Sequence, residues 1–146
     1  MSLEVTPTAT DANRRLVYRS EMPLRWGDQD VMNHINNTLY FRYMEQARVE
    51  WLDAMCAEER KESNQGAVLV TASCAFLMPL TYPGNIICDV FIGQPGRSSL
   101  PTFYEVRRTD DERLFATGEA KLVWIDKTSG QSIPLPESLR QAFRSA

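Results

Sequence analysis

Asp28-Gln29-Asp30-Val31-Met32-Asn33-His34-Ile35-Asn36-Asn37 leads straight into Thr38-Leu39-Tyr40-Phe41-Arg42-Tyr43-Met44-Glu45-Gln46-Ala47-Arg48-Val49-Glu50-Trp51. From Tyr40 onward the apolar residues Tyr43, Met44, Ala47, Trp51, Ala54 and Met55 recur at three, four and seven, while Glu45, Gln46, Glu50 and Asp53 fall mainly on the other side. That spacing predicts one amphipathic helix of roughly five turns over 37–55, with Asn36 or Asn37 as its N-cap. Upstream, 16–24 fits a strand, and Arg25-Trp26-Gly27-Asp28 turns the chain into the polar loop.

Beyond a charged and polar stretch at 58–66, the pattern changes to strands over 68–78, 85–93, 99–108 and 113–125. Short segments rich in Pro, Gly, Asp and Thr separate them, which argues for antiparallel meander connections. In the last strand one face reads Leu114, Ala116, Gly118, Ala120, Leu122. Small residues there sacrifice β-propensity, and the return is close approach of another element, naturally the long helix. A tail over 134–143 fits a last helical turn or two. The expected architecture is α+β: a five-stranded antiparallel sheet wrapped around one long central helix. One helix cannot cover such a sheet completely, so homo-oligomerisation is expected, as a homodimer or homotetramer.

With 146 residues and 43% apolar content, the chain suits a single domain over 1–146 whose polar lead segment, 1–14, is expected to be flexible. A net charge of −3 and a pI near 5.2 provide no global basic field, which argues against nucleic acid and acidic membrane surfaces as partners. Neither a signal peptide nor a run of transmembrane length is evident, so the expected location is cytoplasmic. Cys56, Cys74 and Cys88 are odd in number and lack C-x-x-C spacing; buried free thiols are expected rather than a disulfide.

The chemistry-bearing groups concentrate in the loop. Carboxylates beside the unpaired N–H groups of a helix start are what a site needs to activate water next to a developing negative charge. His34 is the only histidine, which excludes multi-histidine metal sites; no zinc spacing exists, and no cofactor is implied. No G-x-S-x-G surrounds a serine, and Gly93-Gln94-Pro95-Gly96-Arg97-Ser98-Ser99 has neither dinucleotide nor P-loop spacing.

The order strand, D-x-D-x-x-x-H-I-N-N, long helix, four strands resembles the hotdog-fold acyl-CoA thioesterases of the 4-hydroxybenzoyl-CoA thioesterase-like group. Helix residues 40–52, Pro79-Leu80 with Pro83-Gly84, and Gly118-Glu119-Ala120-Lys121-Leu122-Val123-Trp124-Ile125-Asp126 support it. The resemblance implies that Asp30 is the catalytic carboxylate, as general base or as nucleophile giving a mixed anhydride. It also implies that the backbone N–H of Asn37 binds the thioester oxygen. Where many relatives read Gly-His, this chain has Asn33-His34, and Asn tolerates the left-handed backbone region.

Around this core the assignments are looser. His34 polarises the carbonyl, orients water or fixes the loop. Asn36 caps the helix, or its amide holds a water. Asp28 is read as a loop-fixing acid bonded to backbone N–H groups. Tyr40 belongs first to the core, its edge lining an acyl channel. Arg97, Ser98 and Lys121 are candidate contacts to CoA phosphates. Glu45 is read as an ordinary helix pair with Arg48. The substrate is expected to be an acyl-CoA, with acyl-carrier protein as an alternative donor. Two other functions compete: a hotdog enoyl- or hydroxyacyl-thioester hydratase-dehydratase using Asp30 and His34, and a non-catalytic acyl-thioester binding module.

Overall fold

Every β-branched or aromatic run finds an antiparallel neighbour, and the one long periodic segment crosses the face they form. The computed structural model describes residues 13–145. Its order is β1 (Arg15–Pro23), a 3-10 turn (Trp26–Asp28), α1 (Asn37–Lys61), β2 (Gln65–Phe76), β3 (Asn85–Ile92), β4 (Ser99–Arg108), β5 (Asp111–Asp126) and α2 (Glu137–Ser145). The five strands form one antiparallel sheet in the order β1-β3-β4-β5-β2, which with the long helix is the hotdog fold. No helix is long and apolar enough to cross a membrane among the described residues.

The helix runs six residues beyond the expected end. Its regular part does stop near Met55, for Cys56 leaves helical geometry at φ −144°, ψ 44°, and a further stretch resumes after the kink. Good helix formers carry that stretch, and Arg60 reaches back to pair with Asp53. The supposed loop at 58–66 is therefore short. β2 begins at Gln65, where the Gln65 side chain accepts a hydrogen bond from Trp124 Nε1 at 2.7 Å.

The connections correct the meander expectation in one place. β3, β4 and β5 follow one another as hairpins, but β2 pairs with β5 while β3 pairs with β1, so 77–84 crosses from one sheet edge toward the other. Leu77 and Met78 N–H both donate to Phe115 O, and Leu80 O accepts from Ile35 N–H, fastening the crossing to the sheet and to the polar loop. The α2 tail seats Leu139 in the core beside Trp51 and Trp124.

Met44, Ala47, Trp51 and Leu52 bury the inner side of α1, whereas Ala54, expected in that stripe, is exposed. Glu50, expected to face away, tucks beneath β1, where its carboxylate accepts from Ser20 Oγ at 3.0 Å and Tyr18 OH at 3.2 Å. The small-residue face of β5 lies against α1 as expected. A Cβ built on Gly118 would stand 2.4 Å from Met44 Sδ. Of the lead segment, 1–12 lies outside the described residues; Arg14, expected to be flexible, stacks over the rings of Phe91 and Phe103.

Candidate active site

The loop between β1 and α1 is a hydrogen-bonded device. Asp30 N–H donates to His34 O at 2.8 Å, and Asn33 N–H donates to Asp30 O at 3.0 Å. Closing so tight a turn requires a positive φ, which Asn33 supplies at 59°. The Asp30 side chain then folds inward: its Oδ1 accepts from Met32 N–H at 2.9 Å and from His34 N–H at 3.4 Å. Oδ2 has no hydrogen-bond partner among the described residues. One carboxylate oxygen thus fixes the group and the other is available.

At the helix start Asn36 is the N-cap. Its Oδ1 takes the Thr38 N–H at 2.9 Å, and its carbonyl takes the Leu39 N–H at 2.9 Å. Of the first backbone donors of α1, the Asn37 N–H is the one these bonds leave free. It carries the positive end of the helix dipole. Asn36 is therefore occupied with capping, its oxygen also accepting from Thr38 Oγ1 at 2.8 Å.

Asp30, His34, Asn37 and Tyr40 converge on one open cleft of about 380 Å3, bordered by Phe76 at the end of β2 and by Leu77, Met78 and Pro79 after it. Tyr40 is buried, its ring edge-on to Phe76 at 5.0 Å and its hydroxyl accepting from Leu80 N–H at 3.3 Å. Burial raises its pKa, so the phenol stays neutral. The His34 imidazole makes no hydrogen bond to Asp30; the His34 backbone makes the links, its N–H donating to Asp30 Oδ1 and its carbonyl accepting from Asp30 N–H.

Asp28 fixes the loop as expected, but through a different partner. Its carboxylate accepts from Tyr43 OH at 2.8 Å rather than from backbone N–H groups, while its carbonyl accepts from Asn36 N–H at 2.9 Å. Burial, with the Asp28 bond second, pushes the Tyr43 phenol far above its ordinary range. The pair pins the loop to α1. A signal existed in the sequence: Tyr43 lies on the buried stripe, and a buried tyrosine hydroxyl needs a partner.

Arg97 and Ser98 do not join the site within this chain. They sit in the β3–β4 connection, beyond Ile92, whereas the loop leaves β1 beside Asn85, the opposite end of β3. The seven steps between those residues span roughly 23 Å. Backbone bonds hold that connection: Arg97 O accepts from Leu135 N–H and Ser98 O from Trp124 N–H. Lys121 lies exposed on β5. Glu45 and Arg48 make no ion pair; Arg48 turns to Tyr104, which the helical spacing alone does not reveal. The three cysteines are free, and burial pushes Cys56 and Cys74 up to about 11 and Cys88 further, which leaves no thiolate nucleophile.

The sequence matches the thioesterase-like superfamily over residues 24–143. Among solved structures, the PA2801 protein of Pseudomonas aeruginosa, a candidate thioesterase, is 32% identical with a TM-score of 0.82, covering 88% of this chain and 98% of its own. A thioesterase from Thermus thermophilus, solved with coenzyme A and Zn, is 27% identical with a TM-score of 0.75, covering 89% and 93%. The 1,4-dihydroxy-2-naphthoyl-CoA thioesterase of Synechocystis shares the fold at 18% identity and a TM-score of 0.77, covering 88% and 96%. The chain belongs to the thioesterase-like superfamily, and its class is that of the hotdog-fold thioester hydrolases.

Proposed function

We propose that this protein is an acyl-CoA thioesterase in which Asp30 carries the chemistry. The observation behind this reading is the convergence, in one cavity, of a carboxylate with one free oxygen and a helix start with one free N–H. The thioester oxygen accepts from the Asn37 N–H, which stabilises the charge that develops as the carbonyl is attacked. Asp30 Oδ2 either takes a proton from the attacking water or adds to the carbonyl itself, forming an anhydride that water then opens. In both routes the C–S bond breaks and CoA departs as a thiolate, a good leaving group that needs no dedicated acid. The His34 ring makes no hydrogen bond to Asp30 among the described residues, which favours the thioesterase reading over the hydratase alternative.

Purified protein is expected to release free thiol from at least one member of an acyl-CoA panel spanning short, long and aromatic acyl groups. Release only from the corresponding acyl-carrier-protein thioesters would change the donor. Tight acyl-CoA binding without any release would instead favour the binding module.

The reading includes a second copy of this chain. β2 is an edge strand, and Val68, Leu69, Val70 and Phe76 leave it rich in exposed apolar surface; Leu69 and Val70 are 51% and 54% exposed. An edge of this length and composition is an aggregation hazard unless paired. Antiparallel pairing of two β2 edges would extend the sheet and cover the flank of the cavity that Phe76 borders. Sedimentation at micromolar concentration is expected to give at least a dimer that Val70→Lys dissociates, and a monomeric wild type would remove this part of the reading.

A further inference from the structure

A second cavity, of about 330 Å3, follows the first along the same two elements. On α1 its walls pass from Phe41 and Met44 to Arg48, on β2 they are Leu69 and Ala72, and Tyr104 of β4 stands at its base. The catalytic cavity uses Asn37 and Tyr40 of that helix and Phe76 of that strand, so the two lie in succession in the groove between α1 and β2.

A polar assembly borders this cavity, whose wall mixes apolar side chains with charged ones. Thr102 Oγ1 donates to Ala120 O at 2.8 Å and so accepts from Tyr104 OH at 2.7 Å; Tyr104 OH in turn accepts from Arg48 Nη1 at 3.0 Å. Tyr104 and Thr102 are buried, and the guanidinium stands 5.9 Å from the Tyr104 ring centre. The chain of donors aims Arg48 at one place. Its charge meets no carboxylate in an ion pair among the described residues, although Glu45 lies one turn away. A guanidinium carries five N–H donors, and here one is used. Glu45 and Glu119 share the cavity but neither bonds Arg48 among the described residues, so a ligand acceptor would give the remaining guanidinium donors a partner.

We infer that Arg48, oriented by Tyr104, selects acyl groups that carry an oxygen acceptor, a hydroxyl or a carboxylate, at the end remote from the thioester. The inference rests on the thioesterase reading and names its substrate class. Exposed Glu45, Glu119 and Arg42 also line this cavity. The two glutamates oppose a carboxylate and accept from a hydroxyl while Arg42 attracts a carboxylate, and the two ligand forms are separable by experiment.

The test uses octanoyl-CoA with its ω-hydroxy and ω-carboxy derivatives, comparing kcat/KM within each protein. Wild type is expected to favour at least one oxygenated substrate by roughly tenfold to a hundredfold, the range of a hydrogen bond to a charged group. Arg48→Met collapses that ratio, Tyr104→Phe reduces it by freeing the guanidinium, and Arg48→Lys restores part of it. The inference is overturned if wild type shows no preference, or if Arg48→Met slows all three substrates equally, which a merely structural arginine would do. Turnover without preference removes only this assignment. Turnover of no acyl-CoA at all removes the thioesterase reading with it.

Discussion

Asp30→Asn is expected to lower kcat for any accepted acyl-CoA by about 10²- to 10⁴-fold, the share of the rate a positioned general base supplies, and to leave the fold in place. The substitution retains an oxygen where Oδ1 accepts from Met32 N–H, so the loop that Asn33 closes keeps its main bond. What it removes is the basicity of Oδ2, the oxygen with no partner, and an amide neither takes a proton from water nor forms an anhydride. Asn37→Ala supplies the contrast. It deletes the side chain but keeps the backbone N–H at the helix start, and so costs far less, under about tenfold, if the backbone is the oxyanion donor. Thiol release by the two variants, with circular dichroism to verify folding, checks both. Equal rates for Asp30→Asn and wild type would take the chemistry away from Asp30, and a loss at Asn37→Ala rivalling that of Asp30→Asn would mean that the side chain participates.

The sequence pointed to these residues as a candidate site because they are neighbours along the chain, and the structure brings them to one cavity. Asp30, His34 and Asn37 span one loop and a helix start, and a cap residue beside a periodic run marks where free N–H groups must lie. The long helix was legible as far as Met55, where its apolar spacing ends, but the stretch that resumes after the kink at Cys56 was not. The sheet order was not. Alternation within β2 and β3 says nothing about whether they pair with each other, and the pairing of β2 with β5 joins residues as distant as Gln65 and Asp126. Side-chain partners crossing between elements escaped for the same reason. Arg48 spaced from Glu45 reads as a helix pair until folding brings Tyr104 beneath it, and Asp28 reads as a turn acid until α1 delivers Tyr43. Glu50 shows the same dependence, since its place beneath Ser20 and Tyr18 exists only once β1 lies across the helix.

Gly118→Val is expected to destabilise the protein by about 3 kcal/mol, at the upper end of overpacking costs, even though valine is the better strand former. The added Cβ would fall 2.4 Å from Met44 Sδ, 2.6 Å from Met44 Cε and 3.3 Å from Ser73 O. Methionine is flexible, but Met44 is buried between Tyr40 and Ala47 on the helix stripe, with buried Ala116 and Ala120 flanking Gly118 on β5. The Ser73 oxygen belongs to the paired strand and has less freedom still. Relief therefore requires Met44 to leave its place in the packed core or α1 to lift from the sheet. In a domain of this size the loss corresponds to a fall in melting temperature of roughly 6–12 °C. Met44→Ala should recover much of it in the double variant, because the clash and its partner are removed together. The activity of the surviving folded protein gives a second readout. Tyr40 lies one turn before Met44 and Asn37 one turn before Tyr40, so a helix displaced at Gly118 carries its free N–H away from Asp30. A Gly118→Val protein that melts with wild type would show that α1 does not press on β5 at this point, and the small-residue face of that strand would need another explanation.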